Sequence, residues 1–200
     1  SFHRFGQAAR KTLEDSRQII AAALAAKPQE IIFTSSATES NNLAVKGIAS
    51  ANKNKGKHII TSSIEHACVM ESTNWLKMQG FEITHLPVDK YGLVDPREVE
   101  KAIGSQTILV SVMHANNEIG TIEPIAQIGA ICKKAGVYFH TDAAQSFGKL
   151  PIDVNKMNID LLTASSHKMY GPKGAALLFV REGVKIEPLL HGGGQEFGLR

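Results

Sequence analysis

Short apolar segments alternate with amphipathic segments along almost the whole chain, and this alternation restricts the possible folds more than any other feature. The apolar segments have strand length and composition, whereas the intervening segments have helical periodicity or capping residues. The predicted strands are residues 30–34, 58–61, 81–84, 107–112, 137–141, 159–164 and 175–180, and the predicted helices are residues 4–26, 36–52, 66–79 and 124–134 with a short one after Pro96. Such alternation predicts an α/β fold, with a mostly parallel sheet flanked by helices on both faces.

Composition and charge exclude several classes of function. Of the 200 residues, 43% are apolar and 20% are charged, and the formal net charge is only +3. The chain has no basic block, so a direct nucleic-acid interface is not expected. Its apolar runs are too short to cross a bilayer, so no membrane association is expected. The two cysteines, Cys68 and Cys132, cannot form a disulfide framework and suit a reducing compartment.

Polar residues follow five of the predicted strands directly. These polar segments are residues 35–38, 65–66, 114–118, 142–145 and 165–168. In open α/β sheets, ligands bind beyond the carboxyl ends of the strands, where successive parallel strands end at one edge. We therefore expect the five segments to converge on one rim and to form a ligand site.

Lys168 lies in the last of these segments, between two predicted strands. An amine in such a place forms a Schiff base if its charge is lowered and a carbonyl group is held nearby. Ser165 and His167 add a hydroxyl group and an imidazole that can hydrogen-bond a phosphate. Together these residues predict a lysine that carries pyridoxal phosphate, although Lys168 taken alone also fits a surface lysine in a polar turn.

A pyridoxal cofactor also needs an acid for its ring nitrogen and a binding site for its phosphate. Asp142, at the end of a buried strand, is the candidate acid, and an ordinary capping aspartate is the alternative. Ala37 and Thr38 lie at a predicted helix N-terminus, where backbone amides and a hydroxyl group can hold a phosphate. Ser36 and Glu39 have the spacing of a capping box, which by itself would explain this segment.

Three further polar residues are candidates for the same site. His66 begins a predicted helix and can stack on a planar ring or transfer a proton. A partly buried, hydrogen-bonded histidine is the alternative. Asn117 and Gln145 offer neutral donors for a phenolate oxygen or a carboxylate, and their alternative role is hydrogen bonding within loops.

Other patterns carry weaker signals. His140 and Asp142 have a metal-like spacing, but no third ligand is evident nearby, so no metal site is predicted. Cys132 has the spacing of a core residue, and Cys68 is either a buried structural cysteine or a nucleophile. Residues 192–194 form a glycine run without the context of a phosphate loop.

Five separate motifs resemble those of cysteine desulfurases, which belong to the class-V group of fold-type-I pyridoxal enzymes. The motifs are residues 37–42, 65–66, 114–120, 140–145 and 165–168, and the resemblance covers essentially the whole chain in the same order. Residues 171–174 and 191–196 resemble the NifS/IscS branch (group I). The resemblance implies that residues 1–200 form the large PLP-binding domain. We expect a fragment that lacks an N-terminal segment and a C-terminal small domain.

The resemblance also implies a role for each candidate residue. Lys168 would bond to the cofactor, Asp142 would partner the pyridine nitrogen, and His66 would stack on the ring and is a candidate for proton transfer. The remaining matches are Asn117 and Gln145, near the substrate and the phenolic oxygen, and the phosphate-binding set of Ala37, Thr38, Ser165 and His167.

The implied activity converts L-cysteine to L-alanine and transfers the sulfur to an enzyme cysteine as a persulfide. An iron–sulfur scaffold or another sulfur acceptor would then receive the sulfur, and tRNA thiolation would be the only, indirect, link to nucleic acid. The family implies a homodimer in the cytoplasm, or in the mitochondrial matrix of a eukaryote. The alternatives are a class-V aminotransferase or related PLP lyase, and a non-catalytic truncated interaction module.

The chain departs from the family pattern at two positions and lacks one residue that the family's reaction needs. The persulfide-forming cysteine of such enzymes lies beyond residue 200, and neither Cys68 nor Cys132 matches it. Ser36 stands where a glycine is usual, and Phe197 stands where an arginine is common. We therefore expect that this span alone does not complete the reaction.

Overall fold

The computed structural model describes residues 3–200 and contains every predicted helix and strand, with ends that differ by at most two residues. The helices are α1 (Arg4–Leu24), α2 (Ala37–Asn52), α3 (Ala67–Met78), α4 (Pro96–Ala102) and α5 (Ile125–Ala135). The strands are β1 (Ile31–Thr34), β2 (His58–Ser62), β3 (Glu82–Leu86), β4 (Thr107–Ser111), β5 (Tyr138–Asp142), β6 (Leu161–Ser165) and β7 (Ala176–Val180). Short 3₁₀ turns lie at Pro28–Glu30, Ser166–Met169 and Gln195–Gly198.

The seven strands form one sheet in the order β1-β7-β6-β5-β4-β2-β3. The pairs β2–β3, β2–β4, β4–β5 and β5–β6 are parallel, whereas β7 is antiparallel to both β6 and β1. All strands except β7 therefore run in the same direction, which confirms the mostly parallel sheet. Their carboxyl ends lie along one edge, and that edge positions the site described below.

Helices cover both faces of the sheet, as predicted. Helices α1, α4 and α5 pack on one face, and α2 and α3 pack on the other. Neighbouring residues of a strand point to opposite cores, so Ile60 packs in the first core and Ile59 in the second. A sheet buried on both faces explains why its strands are continuously apolar. Cys132 lies in the first core, as predicted, and within residues 3–200 no helix is long and apolar enough to span a membrane.

The last residues of the chain pack against β1 through a buried arginine. The guanidinium of Arg17 pairs with both carboxylate oxygens of Glu196, at 2.8 and 2.9 Å, and Glu196 also accepts a hydrogen bond from the backbone N–H of Phe33. The Arg17 guanidinium lies 4.7 Å from the centre of the Phe33 ring and 5.2 Å from that of Phe197. Phe197 therefore makes a cation–π contact, where an arginine would bring a second positive charge to Arg17.

Candidate functional site

A pocket of about 270 Å³ opens at the carboxyl ends of β1, β2, β4, β5 and β6. All nine residues that the sequence singled out line it, namely Ala37, Thr38, His66, Asn117, Asp142, Gln145, Ser165, His167 and Lys168. Ser36, Cys68, Met113, Ala115 and Ala144 complete the lining, whereas the glycine run 192–194 is not part of it. The common direction of these strands thus brings residues from five separate loops into one cavity.

Ser36 caps the N-terminus of α2, but the expected capping box forms only in part. The Ser36 hydroxyl oxygen accepts a hydrogen bond from the Glu39 backbone N–H at 3.1 Å. The Glu39 side chain does not return to Ser36, because its carboxylate accepts hydrogen bonds from the Ser35 backbone N–H (2.9 Å) and from Arg200 Nε (2.6 Å). The start of the helix was predicted correctly, and the partner of Glu39 was not.

This cap leaves two backbone amides free at the pocket. The first N–H groups of an α-helix have no intrahelical acceptor, and neither Ala37 N–H nor Thr38 N–H has another acceptor within residues 3–200. Ser165 and His167 line the same pocket, and the Ser165 hydroxyl lies 2.9 Å from Nδ1 of His167. Free amides at the positive end of a helix, a hydroxyl and an imidazole are groups that can hydrogen-bond an anion such as phosphate.

Lys168 lies on the 3₁₀ turn that joins β6 to β7. The Ser166 hydroxyl donates to the Ala175 carbonyl oxygen at 2.8 Å, and the Gly171 N–H donates to the Ser166 carbonyl oxygen at 2.8 Å. Tyr170, with φ of +64°, ends the turn in the left-handed region. The Lys168 Nζ has no hydrogen-bond acceptor in the described part of the chain, so the turn holds an unpaired amine at the pocket.

Asp142 is the last residue of β5, and its carboxylate is buried at the pocket. Its Oδ1 accepts a hydrogen bond from the Ala144 backbone N–H at 2.9 Å, and its Oδ2 accepts one from Asn41 Nδ2 at 2.6 Å. Burial raises the pKa of Asp142 above its ordinary value, and the two donors and nearby His66 offset only part of that effect. Asp142 thus caps its own loop, as the alternative held, and also presents a buried carboxyl group to the pocket.

His66 is exposed at the pocket and caps the N-terminus of α3. Its Nδ1 accepts a hydrogen bond from the Cys68 backbone N–H at 3.2 Å, so in the neutral ring the proton is on Nε2. The ring is hydrogen-bonded, as the alternative held, but it is exposed and not partly buried. The ring presents an N–H donor on the side away from its own helix.

Cys68 lines the pocket and is half-buried. The sequence did not decide between a buried structural cysteine and a nucleophile at this position. Burial raises the pKa of its thiol, with smaller opposing effects from Asn41 and Thr38. The thiol is therefore protonated at neutral pH, and a protonated thiol is a weak nucleophile.

The loop that carries Asn117 is held by its neighbour Asn116. Asn116 Nδ2 donates to the Ile64 carbonyl oxygen at 2.9 Å, and its Oδ1 accepts the N–H groups of Glu118 and Ile119 at 2.9 and 3.0 Å. The side chains of Asn117 and Gln145, in contrast, make no hydrogen bond within residues 3–200. Both amides are thus available to a ligand, and the loop hydrogen bonds considered as their alternative role are not observed.

The His140 side chain is used within the sheet. Its Nδ1 lies 2.8 Å from the Ser111 hydroxyl and its Nε2 lies 3.2 Å from the Thr163 hydroxyl, which links β4, β5 and β6. Burial lowers the pKa of His140 to about 3, so the ring is neutral. In the described part of the chain, no group of three or more His, Cys, Asp or Glu residues could hold a metal ion.

Glu65, directly before His66, is a buried acid that fixes the loop after β2. Its Oε1 accepts hydrogen bonds from the Ser62 hydroxyl (2.5 Å) and from the Met113 backbone N–H (2.8 Å), whereas its Oε2 has no partner among the described residues. Burial raises the pKa of Glu65 from 4.5 to about 8. Glu65 is therefore protonated at neutral pH, and it ties the loop that carries His66 to the end of β4.

This protonation predicts a pH-dependent stability. The folded protein keeps the Glu65 proton up to about pH 8, whereas the unfolded chain loses it near 4.5. Between these values the unfolded chain binds fewer protons, so the free energy of unfolding falls as pH rises, by at most about 1.4 kcal/mol per pH unit from this group. We expect Glu65→Gln to flatten this decline, as measured by urea unfolding between about pH 5 and pH 8. An unchanged slope in the variant would contradict the assignment.

Sequence reasoning missed one buried polar residue of the site, Asn41. It lies on α2 in line with Val45, Ile48 and Asn52, a spacing of three to four residues that marks the buried face of a helix. An asparagine among apolar residues on such a face must find hydrogen-bond partners inside the protein. That signal was available in the sequence, but the identity of the partners was not.

Known proteins resemble this chain over its whole length. A model of the aminotransferase class-V family matches residues 1–198. The chain is 55% identical to cysteine desulfurase IscS of Dictyoglomus turgidum, over all of this chain and 51% of that protein. It is also 55% identical to the mitochondrial cysteine desulfurase of Saccharomyces cerevisiae, over 99% of this chain and 40% of that protein. The chain thus spans about half the length of the curated relatives it matches.

Solved structures share the fold over the whole chain. A structure described as SspA in complex with cysteine superimposes with a TM-score of 0.97 at 48% identity, covering all of this chain and 58% of that one. A NifS-like protein superimposes with a TM-score of 0.96 at 44% identity, covering all of this chain and 55% of that one. The family model matches nearly the whole chain, and the sheet order and flanking helices agree with it. The chain therefore belongs to the aminotransferase class-V family.

Proposed function

We propose that residues 1–200 are the large, cofactor-binding domain of a pyridoxal phosphate-dependent cysteine desulfurase. The whole protein would convert L-cysteine to L-alanine and pass the sulfur to an enzyme cysteine as a persulfide. The observation that carries this proposal is the pocket in which an unpaired amine, a buried carboxylate and a free helix N-terminus come together. The desulfurases that match all of this chain support the choice of substrate.

The pocket residues fit pyridoxal phosphate at each of its polar ends. The free amides of Ala37 and Thr38, with Ser165 and His167 in the same lining, suit the phosphate group. Asp142 offers a carboxylate to the ring nitrogen, and Lys168 offers an amine to the aldehyde. When bound, the cofactor supplies an electron sink through its protonated pyridine ring.

The other residues suit binding and proton transfer. The Nε2–H of His66 is a hydrogen-bond donor at the pocket, and the ring can stack on a planar ligand. Asn117 and Gln145 bring unpaired amide groups that can donate to a substrate carboxylate or to a phenolic oxygen. An unprotonated Lys168 Nζ is a suitable base for a proton on the substrate carbon.

The nucleophile that takes the sulfur is proposed to lie outside this chain. Cys132 is buried in the core, and burial raises its pKa to about 12. Cys68 is protonated at neutral pH, as described above. Neither thiol meets the requirement for an accessible thiolate.

We also propose the setting that the resemblance to cysteine desulfurases implies. The enzyme would act as a homodimer and deliver sulfur to an iron–sulfur scaffold or another sulfur acceptor, with nucleic acid involved only through tRNA thiolation. The compartment would be the cytoplasm, or the mitochondrial matrix in a eukaryote, as the name of the yeast relative suggests for that protein.

The test supplies L-cysteine to the full-length protein loaded with pyridoxal phosphate. We expect equal amounts of alanine and of sulfur, the latter released as sulfide when a thiol reductant is present. A keto acid formed without sulfide would instead indicate a class-V aminotransferase. The absence of any visible absorbance band after pyridoxal phosphate is added would favour a non-catalytic interaction module.

A further inference from the structure

The side-chain amide of Asn41 contacts Asp142 and Cys68, and Cys68 in turn contacts His66. It is fully buried on α2, and its Nδ2 donates to Asp142 Oδ2 at 2.6 Å and to Cys68 Sγ at 3.1 Å. The Cys68 sulfur lies in turn 3.0 Å from Nδ1 of His66. A continuous series of polar contacts therefore runs from the buried carboxylate to the exposed imidazole.

The two acceptors determine which way the Asn41 amide faces. Both hydrogens of Nδ2 are used, one by the Asp142 carboxylate and one by the Cys68 sulfur. The amide oxygen Oδ1 has no hydrogen-bond partner among the described residues. A reversed amide would bring this oxygen against the carboxylate, where two acceptors repel each other. The Asp142 carboxylate therefore sets this orientation, and the Cys68 sulfur supports it by accepting the second Nδ2 hydrogen.

Donation to Asp142 matters because its carboxylate is buried. Burial disfavours the charged form, and hydrogen bonds to the charged form favour it. The two donors are the Ala144 backbone N–H and the Asn41 amide, so Asn41 is the one that a substitution can remove.

The other ionisable groups around Asp142 come from four elements. They are Glu65, His66 and Cys68 from the loop after β2 and the start of α3, His140 from β5 itself, and His167 and Lys168 from the turn after β6. At neutral pH, Glu65 and Cys68 are protonated and His140 is neutral, so these three bring no charge to the carboxylate. The hydrogen bond from Asn41 is therefore an important determinant of the ionisation of Asp142.

We propose that Asn41 is a positioning residue that holds the Asp142 carboxylate ionised and oriented toward a protonated ring nitrogen, and that Cys68 helps to fix the Asn41 amide for this task. This inference deepens the proposed function and rests on it, because the ring nitrogen is that of pyridoxal phosphate. Asn41 itself does not line the pocket and acts through Asp142.

The test measures the affinity of the full-length protein for pyridoxal phosphate at several pH values between about pH 6 and pH 9. Asn41→Leu keeps the volume and removes both donors. We expect affinity at least about tenfold weaker at the acidic end, since a hydrogen bond to a charged group is worth about that factor or more. Without the donor the pKa of Asp142 rises, so more of the carboxyl group is protonated at low pH. The loss of affinity relative to the unchanged protein should therefore become smaller as pH rises.

A second measurement needs no cofactor. The infrared band of a protonated carboxyl group, assigned to Asp142 by its loss in Asp142→Asn, should persist to higher pH in Asn41→Leu than in the unchanged protein. This band reports the protonation of Asp142 directly, so it separates the role of Asn41 from the identity of the ligand.

Two sets of variants serve as controls. Asn52→Leu is matched to Asn41→Leu, since Asn52 is also buried on α2, but its Nδ2 donates to the carbonyl oxygens of Ile48 and Lys185 instead. It should lower stability without a pH-dependent change in affinity. Cys68→Ala removes the sulfur acceptor and should reproduce part of the pH-dependent loss of affinity, whereas Cys68→Ser retains an acceptor and should show a smaller pH-dependent loss.

Several outcomes would overturn the proposal. One is a folded Asn41→Leu variant whose affinity stays within about twofold of the unchanged protein at every pH. Another is a pH-independent loss equal to that of Asn52→Leu, which would indicate a merely structural role. If Asn41→Leu does not fold, equal affinities of Cys68→Ala and Cys68→Ser would overturn it. If the unchanged protein does not bind pyridoxal phosphate, the proposed function fails, and the infrared band still decides the role of Asn41.

Discussion

On the proposed function, replacing Lys168 by alanine in the full-length protein is expected to abolish covalent attachment of pyridoxal phosphate and to lower the rate of alanine formation from L-cysteine by about 10⁴-fold or more. Proton transfer by one positioned side chain contributes up to about 10⁴-fold, and the variant loses the covalent bond to the cofactor as well. The turn itself should persist, because it is held by Ser166, Gly171 and Ala175 and not by the lysine side chain. The variant should therefore fold normally and still bind the cofactor non-covalently.

The matched control is Lys173→Ala, since Lys173 is exposed on the same connection but does not line the pocket. This variant should retain full activity. Borohydride treatment of the loaded full-length protein, followed by peptide mapping, should place the pyridoxyl adduct on Lys168. An adduct on Lys173, or on no lysine, would refute the assignment.

Replacing Asp142 by asparagine is expected to lower the same rate by about 10²–10³-fold, as is typical when one group that stabilises developing charge is removed. The amide keeps the size of the carboxyl group but not its negative charge, so it cannot stabilise a protonated ring nitrogen. The affinity for pyridoxal phosphate should fall as well, which a spectroscopic titration would measure.

The stability of the cofactor-free Asp142→Asn variant should depend on pH differently from that of the unchanged protein. Both carboxylate oxygens of Asp142 accept a hydrogen bond, whereas the introduced amide can accept only one of the two, so the variant loses one hydrogen bond at every pH. Burial raises the pKa of Asp142, so this carboxyl group contributes stability that is present at acidic pH and lost as pH rises. The urea concentration at half-unfolding of the variant should therefore lie below that of the unchanged protein under acid and come closer to it, or exceed it, toward neutral pH. A difference that stays constant between acid and neutral pH would contradict the raised pKa of Asp142.

Much of the fold was predictable because its signals are local. Strand and helix positions follow from apolar periodicity and capping residues, and their ends differ from the structure by at most two residues. The antiparallel direction of β7 could also have been predicted from the length of its connection to β6. Only ten residues separate Ser165 from Ala176, and a parallel crossover needs about a dozen or more. The two residues are directly paired in the antiparallel ladder.

The convergence of the site residues was predictable for a related reason. Parallel strands end at a common edge, so polar residues that follow them meet there whatever the strand order. The nine predicted site residues were found in this way, and all of them line the pocket. Their roles rest on the resemblance to desulfurases and on the experiments proposed above.

The sequence by itself thus determined the helices and strands, the mostly parallel sheet and the residues at its carboxyl edge. The signals for these features, apolar periodicity and capping residues, lie between residues that are close in the chain. Only the tertiary structure decided that β1 pairs with β7, that Asn41 donates to Asp142, and that Glu65 keeps its proton. Each of these depends on groups distant in the chain, or on exclusion from water, which arises only when the layers pack. Protonation states and hydrogen-bond partners in the interior therefore follow from the fold and not from any local pattern.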